Sequence, residues 1–397
     1  MKILVLNSGS SSLKYKLFSM HNEKPLLSGH VDGIGLDRCS AKIITSDKAE
    51  ERKAPVKDHV DAVMLALKSL REKKVIRDYT EINAVGHRVV HGGEHYSEPV
   101  LIDDKVIRTI RELFDLAPLH NPHNLAGILA CKKMLPRTPQ VAVFDTAFHQ
   151  TLLPEAYLYA LPYELYEKHR IRRYGFHGTS HKYVSEQATK LLGKKESKII
   201  TCHLGNGASI TAVKNNKSVD TSMGFTPLEG LIMGTRTGSI DPAIPLYLAR
   251  HKSYKINDLD DLFNKKSGLL GISGLTRDVR DLHRASLKGD RRARLALRMF
   301  ARRAAFYIGG YIALLGGLDA LVFTAGIGEG AWFIRRDICR YLEPLGIIID
   351  DKLNKKNQII ISKPNSKIKV YVIPTDEELQ IARETKEVVE TIRDSKN

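Results

Sequence analysis

The chain of 397 residues is poor in cysteine, with four, and has a single tryptophan. Cys39, Cys131, Cys202 and Cys339 are scattered without paired spacing, which argues against a disulfide framework and against a cysteine-built zinc site. They are expected to be reduced and buried. Long apolar runs are missing too. The best candidate, Phe306 to Leu315, is interrupted by Gly309 and Gly310 and falls short of the roughly 18 residues a membrane span needs. The opening Met1-Lys-Ile-Leu-Val-Leu runs straight into a polar loop at Asn7, unlike a secretory signal. A cytoplasmic protein with no membrane partner is expected. No Gly-x-x-x-x-Gly-Lys-Ser/Thr string occurs, which sets the P-loop proteins aside.

Acidic residues are the scarcer charge: 45 against 62 basic ones, a net +17. Such an excess suits either nucleic-acid binding or the steering of small anions. Its densest stretch, Arg291, Arg292, Arg294, Arg298, Arg302 and Arg303, shares a helical pattern with Leu295, Leu297, Met299, Phe300 and Phe306. It reads as the solvated face of an amphipathic helix. With no aromatic-interleaved basic groove and no helix-turn-helix pattern, no nucleic-acid partner is expected.

What is present is an alternation of strands and helices, an α/β pattern, in a chain long enough for two domains. A strand over 2–6, a small-residue loop over 7–12 and a strand over 13–19 open the sequence. A similar unit follows at 198–203, 204–209 and 210–214, a weak internal repeat that suggests a duplicated domain. Apolar spacing predicts a helix over 105–116 and buried strands at 140–144 and 320–323, the latter running into a glycine loop at 326–330. A last strand at 369–373 precedes Thr375 and Glu378, the pattern of a capping box for a final helix.

Three glycine-serine loops (Asn7 to Ser12 with Lys14 close behind, Gly205 to Ser209, and Gly326 to Gly330) each leave a strand and can approach phosphate closely. Asp145 ends a buried strand, Arg88 and Arg236 sit between glycines, and His177 follows an Arg-Arg-Tyr-Gly-Phe string. Two arginines, a histidine, an aspartate and phosphate loops are the parts that in-line phosphoryl transfer needs. Two alternatives stay open. Gly326, Gly328 and Ala331 fit the looser dinucleotide fingerprint, with Asp350 and Asp351 about twenty residues on, and the spacing of His87, His91 and His95, or His177 and His181, resembles that of zinc ligands.

The strings VLNSGSSSLK, GHRVVHGGE, APLHNPHN, VFDTAFHQTLLP, RRYGFHGTSHKYV, HLGNGASI, DTSMGFTPLEGLIMGTRTGSIDP, FTAGIGE and TDEELQIARET, in this order and from end to end, resemble the acetate kinase family of the acetate and sugar kinase, hexokinase and actin superfamily. The resemblance implies an α/β, two-domain duplicated ribonuclease H-like (actin-like ATPase) fold with an interdomain cleft. It further implies a domain over 1–149 completed by a C-terminal helix over 380–397, and a nucleotide-binding domain over 150–379. The implied reaction passes the γ-phosphoryl of ATP directly to acetate, with ATP and ADP as co-substrates and Mg²⁺ as the metal, Mn²⁺ substituting. A homodimer is implied as well.

Position by position, Asn7 and Glu377 match the family's magnesium-associated residues. Arg88 matches the residue holding the substrate carboxylate, and Asp145 the catalytic aspartate. His177 and Arg236 match the groups on the transferring phosphoryl. Val90, Leu119, Phe176 and Pro227 match the pocket around the acetate methyl. Lys14, His203, Leu204, Gly205, Asn206, Gly207, Asp278, Val279, Arg280, Gly326, Ile327, Gly328, Glu329 and Gly330 match nucleotide contacts. Two positions depart from the family pattern: Val279, where an aromatic often stands, and Gly330, where a polar residue, commonly asparagine, does. Both bear on base selectivity more than on phosphoryl chemistry. An actin-type ATP-switched module, a dehydrogenase, and a kinase for propionate or butyrate remain rival readings.

Overall fold

The apolar opening forms β1 (Lys2–Ser8), whose Ile3, Leu4, Val5 and Leu6 are all buried. An alternating strand would bury one face; β1 buries both because helices cover each side of its sheet. Leu4 and Leu6 pack in a cluster with Val63, Leu67 and Leu70 of α1 (His59–Glu72). Ile3 and Val5 pack with Ile381, Ala382 and Val389 of the last helix. Each such side chain contributes about 1.5–3 kcal/mol of burial.

The computed structural model describes residues 1–45 and 48–395. It divides into two compact units, Met1–Phe148 with Asp376–Asn397, and His149–Thr375. In the first unit, β1 continues through β2 (Ser12–Ser19), β3 (Lys24–Asp32), β4 (Ser40–Ile44), β5 (Ala49–Lys53), β6 (Ala84–Val89), β7 (Val100–Leu101) and β8 (Gln140–Phe144). The sheet order is β5-β4-β3-β2-β1-β6-β8-β7. The second unit holds β9 (Lys198–Leu204), β10 (Ala208–Lys214), β11 (Lys217–Thr221), β12 (Ala320–Thr324) and β13 (Lys369–Val372), ordered β11-β10-β9-β12-β13.

The run β3-β2-β1-β6-β8 repeats as β11-β10-β9-β12-β13. In each, three antiparallel strands precede two that lie parallel to the first. The weak repeat in the sequence is therefore a true duplication of topology.

Helices α2 (Asp104–Glu112) and α3 (Asn121–Met134) belong to the first unit. The second has α4 (Gly178–Leu192), α5 (Ala243–Lys252), α6 (Val279–Leu287), α7 (Arg291–Leu315), α8 (Ala325–Gly330) and α9 (Trp332–Leu342). The final helix, α10 (Glu377–Asp394), returns to the first unit. All four cysteines are buried and free.

Four expectations need correction. The helix predicted over 105–116 ends at Glu112, where Leu113 takes the C-cap position. The glycine run 326–330 is the short helix α8 rather than a loop, because Glu329 accepts a hydrogen bond from Ala325 N at 2.8 Å and closes the turn. The last helix is capped by Asp376, whose carboxylate accepts from Leu379 N at 3.1 Å, while the Thr375 hydroxyl bonds Ser180 instead. On α7, Leu297 and Phe300 are buried but Leu295, Met299 and Phe306 are exposed; the buried stripe is mainly alanine, including Ala293, Ala296, Ala301 and Ala304.

At Gly86 of β6, α10 comes so close that an added Cβ would sit 2.7 Å from Ile381 Cγ2. Gly86→Ala is expected to cost about 1–3 kcal/mol, a fall in melting temperature of roughly 2–12 °C for a body of this size. Differential scanning calorimetry checks it; an unchanged midpoint would mean that α10 is not held tightly on the sheet.

Candidate active site

In the first unit three parallel strands, β1, β6 and β8, end side by side and present Asn7, Arg88 and Asp145. Asp145, 1% exposed, is fixed by its own N–H donating to Val89 O at 2.9 Å. Its carboxylate takes two guanidinium bonds from Arg88, one from Nε at 3.1 Å and one from Nη2. Arg88 Nη1 donates to Asn7 Oδ1 at 3.3 Å, and Glu377 Oε2 lies 3.9 Å from Arg88 Nε. Burial works against the Arg88 charge, but Asp145 and Glu377 outweigh it and hold its pKa above the ordinary value. Glu377, at the first turn of α10, is pushed up to about 7, chiefly by burial and also by the neighbouring Asp145 and Glu378 charges, with Arg88 pulling the other way.

A cavity of about 460 Å³ opens beside this cluster, lined by Asn7, Ser12, Lys14, Arg88, Val90 and Leu119 among others. Lys14 stands opposite Asn7 in the β1–β2 hairpin. Val90 is buried and Leu119 is 70% exposed. Two residues that sequence reasoning left without a role hold the backbone that follows β6, and the first of them, Asn124, lines the cavity. Asn124, 3% exposed, accepts from Val90 N at 3.0 Å and donates to Ser8 O at 2.6 Å. Asn121 brackets His91 in the same way, accepting from its N at 3.1 Å and donating to its O at 3.0 Å. The available signal was the paired asparagines of the Asn-Pro-His-Asn string at the start of α3.

In the second unit His177 sits at the N-cap of α4 with φ +56° and stacks on His203, ring centroids 4.1 Å apart. His177 Nδ1 is 2.9 Å from Ser209 Oγ. Ser209 Oγ is also 2.6 Å from His181 Nε2, whose Nδ1 reaches Thr201 Oγ1 at 2.7 Å. Full burial keeps His181 neutral, so its ring donates at one nitrogen and accepts at the other.

Arg236 is near the same place. An added Cβ on Gly207 would lie 3.5 Å from Arg236 Nη1 and 3.6 Å from His177 Nε2. Arg236 has no carboxylate partner among the described residues. Its Nη1 reaches Pro227 O at 3.4 Å, and burial depresses its pKa.

Gly205 N donates to Gly207 O at 3.0 Å, shaping the turn between β9 and β10, and Asn206 O accepts from Gly234 N at 3.0 Å. Asp278 caps α6 and pairs with Arg280, whose hydrogen bond holds the carboxylate at about 2. Val279 is buried, whereas a side chain at Gly330 would enter open space. Glu329 is engaged by Ala325 N and Thr375 N, so it organises β12, α8 and the end of β13. Phe176 is buried and Pro227 half-buried.

Both alternatives lose ground. Asp350 caps a short helix, accepting from Lys352 N and Leu353 N, where the dinucleotide fingerprint needs an acid at a strand end. His87 bonds Gln140, and among the described residues no group of three His, Cys, Asp or Glu is placed to hold a metal. No helix among them is long and apolar enough to cross a membrane.

Two duplicated five-stranded modules, one with a carboxylate–guanidinium cluster and one with a histidine–arginine cluster at strand ends, define an α/β protein of the actin-like type. The chain belongs to the Acetokinase family, whose pattern matches residues 2–383. It is 56% identical to the acetate kinase of Methanosarcina thermophila over 98% of both chains. It is 54% identical to that of Thermotoga maritima over 99% of this chain and 100% of that one. Among solved structures it resembles Porphyromonas gingivalis acetate kinase (TM-score 0.94, 46% identity, 98% and 99% covered). It resembles a propionate kinase from Francisella tularensis nearly as well (TM-score 0.93, 45% identity, 98% and 99% covered).

The buried histidines make the fold acid-sensitive. Burial lowers His87 and His149 to about 4 from an ordinary 6.5. The unfolded chain then binds more protons between those values, so their contribution is complete above about pH 6.5 and is lost as pH falls towards 4. Each contributes up to about 3 kcal/mol. The melting midpoint is expected to drop across that window, and His87→Asn to shallow the slope. A midpoint flat from about pH 7.5 to 4.5 would contradict neutral buried imidazoles.

Proposed function

We propose that the protein transfers the γ-phosphoryl group of ATP reversibly to acetate, giving acetyl phosphate and ADP. The observation that supports this reading best is the Arg88 cluster in a chain of the Acetokinase family. A guanidinium has five N–H donors; Asp145 takes two and Asn7 one. The two remaining N–H groups of Arg88 suit an incoming carboxylate. Asp145 fixes the plane of that guanidinium and needs to remove no proton, since a carboxylate is already a nucleophile.

Val90 and Leu119 in the first unit, with Phe176 and Pro227 in the second, are assigned to the acyl methyl. In the second unit Arg236 and His177 are assigned to the equatorial oxygens of the moving phosphoryl. Lys14, residues 203–207, 278–280 and 326–330 are assigned to the nucleotide. Asn206 and Glu329 act there largely through the backbone turns they hold.

Magnesium fits the first unit's residues. Asn7 and Glu377 offer hard oxygen donors, and Mg²⁺ characteristically takes one or two carboxylates and leaves the rest of its shell to phosphate and water. Burial chiefly, with the Asp145 and Glu378 charges adding to it, pushes Glu377 up, and a bound cation would favour its charged form. When bound, the ion, or Mn²⁺ in its place, neutralises phosphate charge.

A homodimer is proposed on the second unit. The helix α5 buries none of its residues, with Leu246 and Tyr247 each 54% exposed, and Phe306 and Leu314 on α7 are 76% and 62% exposed. The proposed setting is the cytoplasm. A propionate kinase is the second reading, favoured by the Francisella tularensis structure matching almost as closely.

Trapping acyl phosphate with hydroxylamine over a series of carboxylates with Mg-ATP tests the reaction. Acetate is expected to give the highest kcat/KM, with propionate behind it by roughly 10-fold or more. Arg236→Ala should lower kcat by at least about 10²-fold while ATP still binds. Product from propionate or butyrate exceeding that from acetate would overturn the acyl assignment, and wild-type turnover in the variant would remove Arg236 from the chemistry.

Glu377→Gln keeps one oxygen donor but loses the charge. The Mg²⁺ concentration for half-maximal rate should rise by about tenfold or more. A magnesium titration superimposable on that of the wild type would take Glu377 out of the metal site.

A further inference from the structure

The basic stretch on α7 has no part in the proposed phosphoryl transfer, yet its first half borders a cavity of about 440 Å³. Arg294 and Arg298 of α7 line it, as do Arg336 and Arg340 of α9, with Leu297 and Ala301 forming an apolar wall. Among the described lining residues Asp337 is the one carboxylate. It accepts from Arg336 Nε at 2.9 Å and Nη2 at 2.8 Å, and lies 3.9 Å from Arg340 Nη1. Arg294 donates to Ser286 O at 3.3 Å, and Arg298 forms no ion pair among the described residues. Four guanidiniums against one carboxylate leave three positive charges uncompensated around a single concavity. None of the residues assigned to the nucleotide lines it.

We propose that this cavity is a second anion site, which binds a small phosphorylated polyanion. A merely solvated helix face would turn its arginines outward over one element; here arginines from two helices border one volume of ligand size. Phosphate is favoured over carboxylate because a tetrahedral group offers oxygens to forks arriving from several directions, whereas a planar carboxylate satisfies one or two.

Trp332, the chain's single tryptophan, reports on the site, since the Arg336 guanidinium lies over its ring at 5.1 Å. The probes are tripolyphosphate and, as a carboxylate of similar charge, tricarballylate, titrated with ADP saturating so that the nucleotide site is filled. In the wild type, tripolyphosphate is expected to give a saturable change in Trp332 fluorescence. The double variant Arg298→Gln, Arg340→Gln should raise the half-saturation concentration by at least about tenfold. Both positions are exposed, so the fold should hold, and kcat and the KM for ATP should stay within about twofold. Equal titrations of the two proteins, or no saturable change, would overturn the site. Tricarballylate binding as tightly as tripolyphosphate would overturn the phosphate assignment. Neither result bears on acetate phosphorylation, which the hydroxylamine assay decides separately.

Discussion

The ion pair between Arg88 and Asp145 is the constraint around which the first unit's site is built. Removing two charges from water costs several kcal/mol per ion, and only close geometry with further hydrogen bonds offsets it. The geometry comes from register. Arg88 lies opposite Val143 and Val89 opposite Phe144, so Asp145 follows one step beyond the end of β8. Leu6 of β1 lies opposite His87, which brings Asn7 level with Arg88 on the other side. A one-residue slip of β6 would turn Arg88 to the opposite face of the sheet. The apolar faces of β1, clamped between two clusters, forbid that slip. Hydrophobic burial thus sets the position of a charged site it does not touch.

The second unit repeats the strand order but fills the equivalent strand ends differently. Its polar cluster is made of rings, hydroxyls and a guanidinium: His203 at the end of β9, with His177, His181, Ser209 and Arg236 beside it. The Thr201–His181–Ser209 run within it is satisfied without charge, because each hydroxyl and the neutral His181 imidazole both donate and accept. The same topology therefore supports a carboxylate–guanidinium pair once and a histidine–serine network once. The duplication conveys a scaffold; the residue types at the strand ends convey the chemistry.

What was legible in the sequence follows from the range of the interactions involved. β8, at 140–144, was read to the residue because four consecutive apolar side chains, Val141 to Phe144, bounded by Gln140 and Asp145 are a local signal. The repeat was legible as two strand–loop–strand strings, and the structure extends it to five strands each. Harder were features decided across long sequence separations. Glycines at 326–330 look like a loop by propensity, but Glu329 and the neighbouring Thr375 amide close them into a helix. Phe306 looks like core by helical spacing, yet α7 presents alanines to its own sheet and leaves Phe306 outward. The paired asparagines of the Asn-Pro-His-Asn string were visible, but what Asn124 binds was not, because its partners, Ser8 and Val90, are 116 and 34 residues away.

Arg88 and Arg236 rest in opposite electrostatic conditions, and that difference underlies the roles proposed for them. Arg88 is compensated in the resting protein by Asp145, so its guanidinium is fixed in plane before any ligand arrives. Arg236 is partly buried and lacks a carboxylate partner among the described residues, and burial alone depresses its pKa. A cation in that condition gains most when negative charge gathers beside it. A pre-paired arginine holds a ground-state carboxylate without much change along the reaction, which contributes binding. An arginine with its charge uncompensated interacts more strongly as charge spreads over a moving phosphoryl group, and only that difference accelerates the chemical step. The contrast in resting partners is what supports the proposed division, with Arg88 on the substrate carboxylate and Arg236 on the moving phosphoryl.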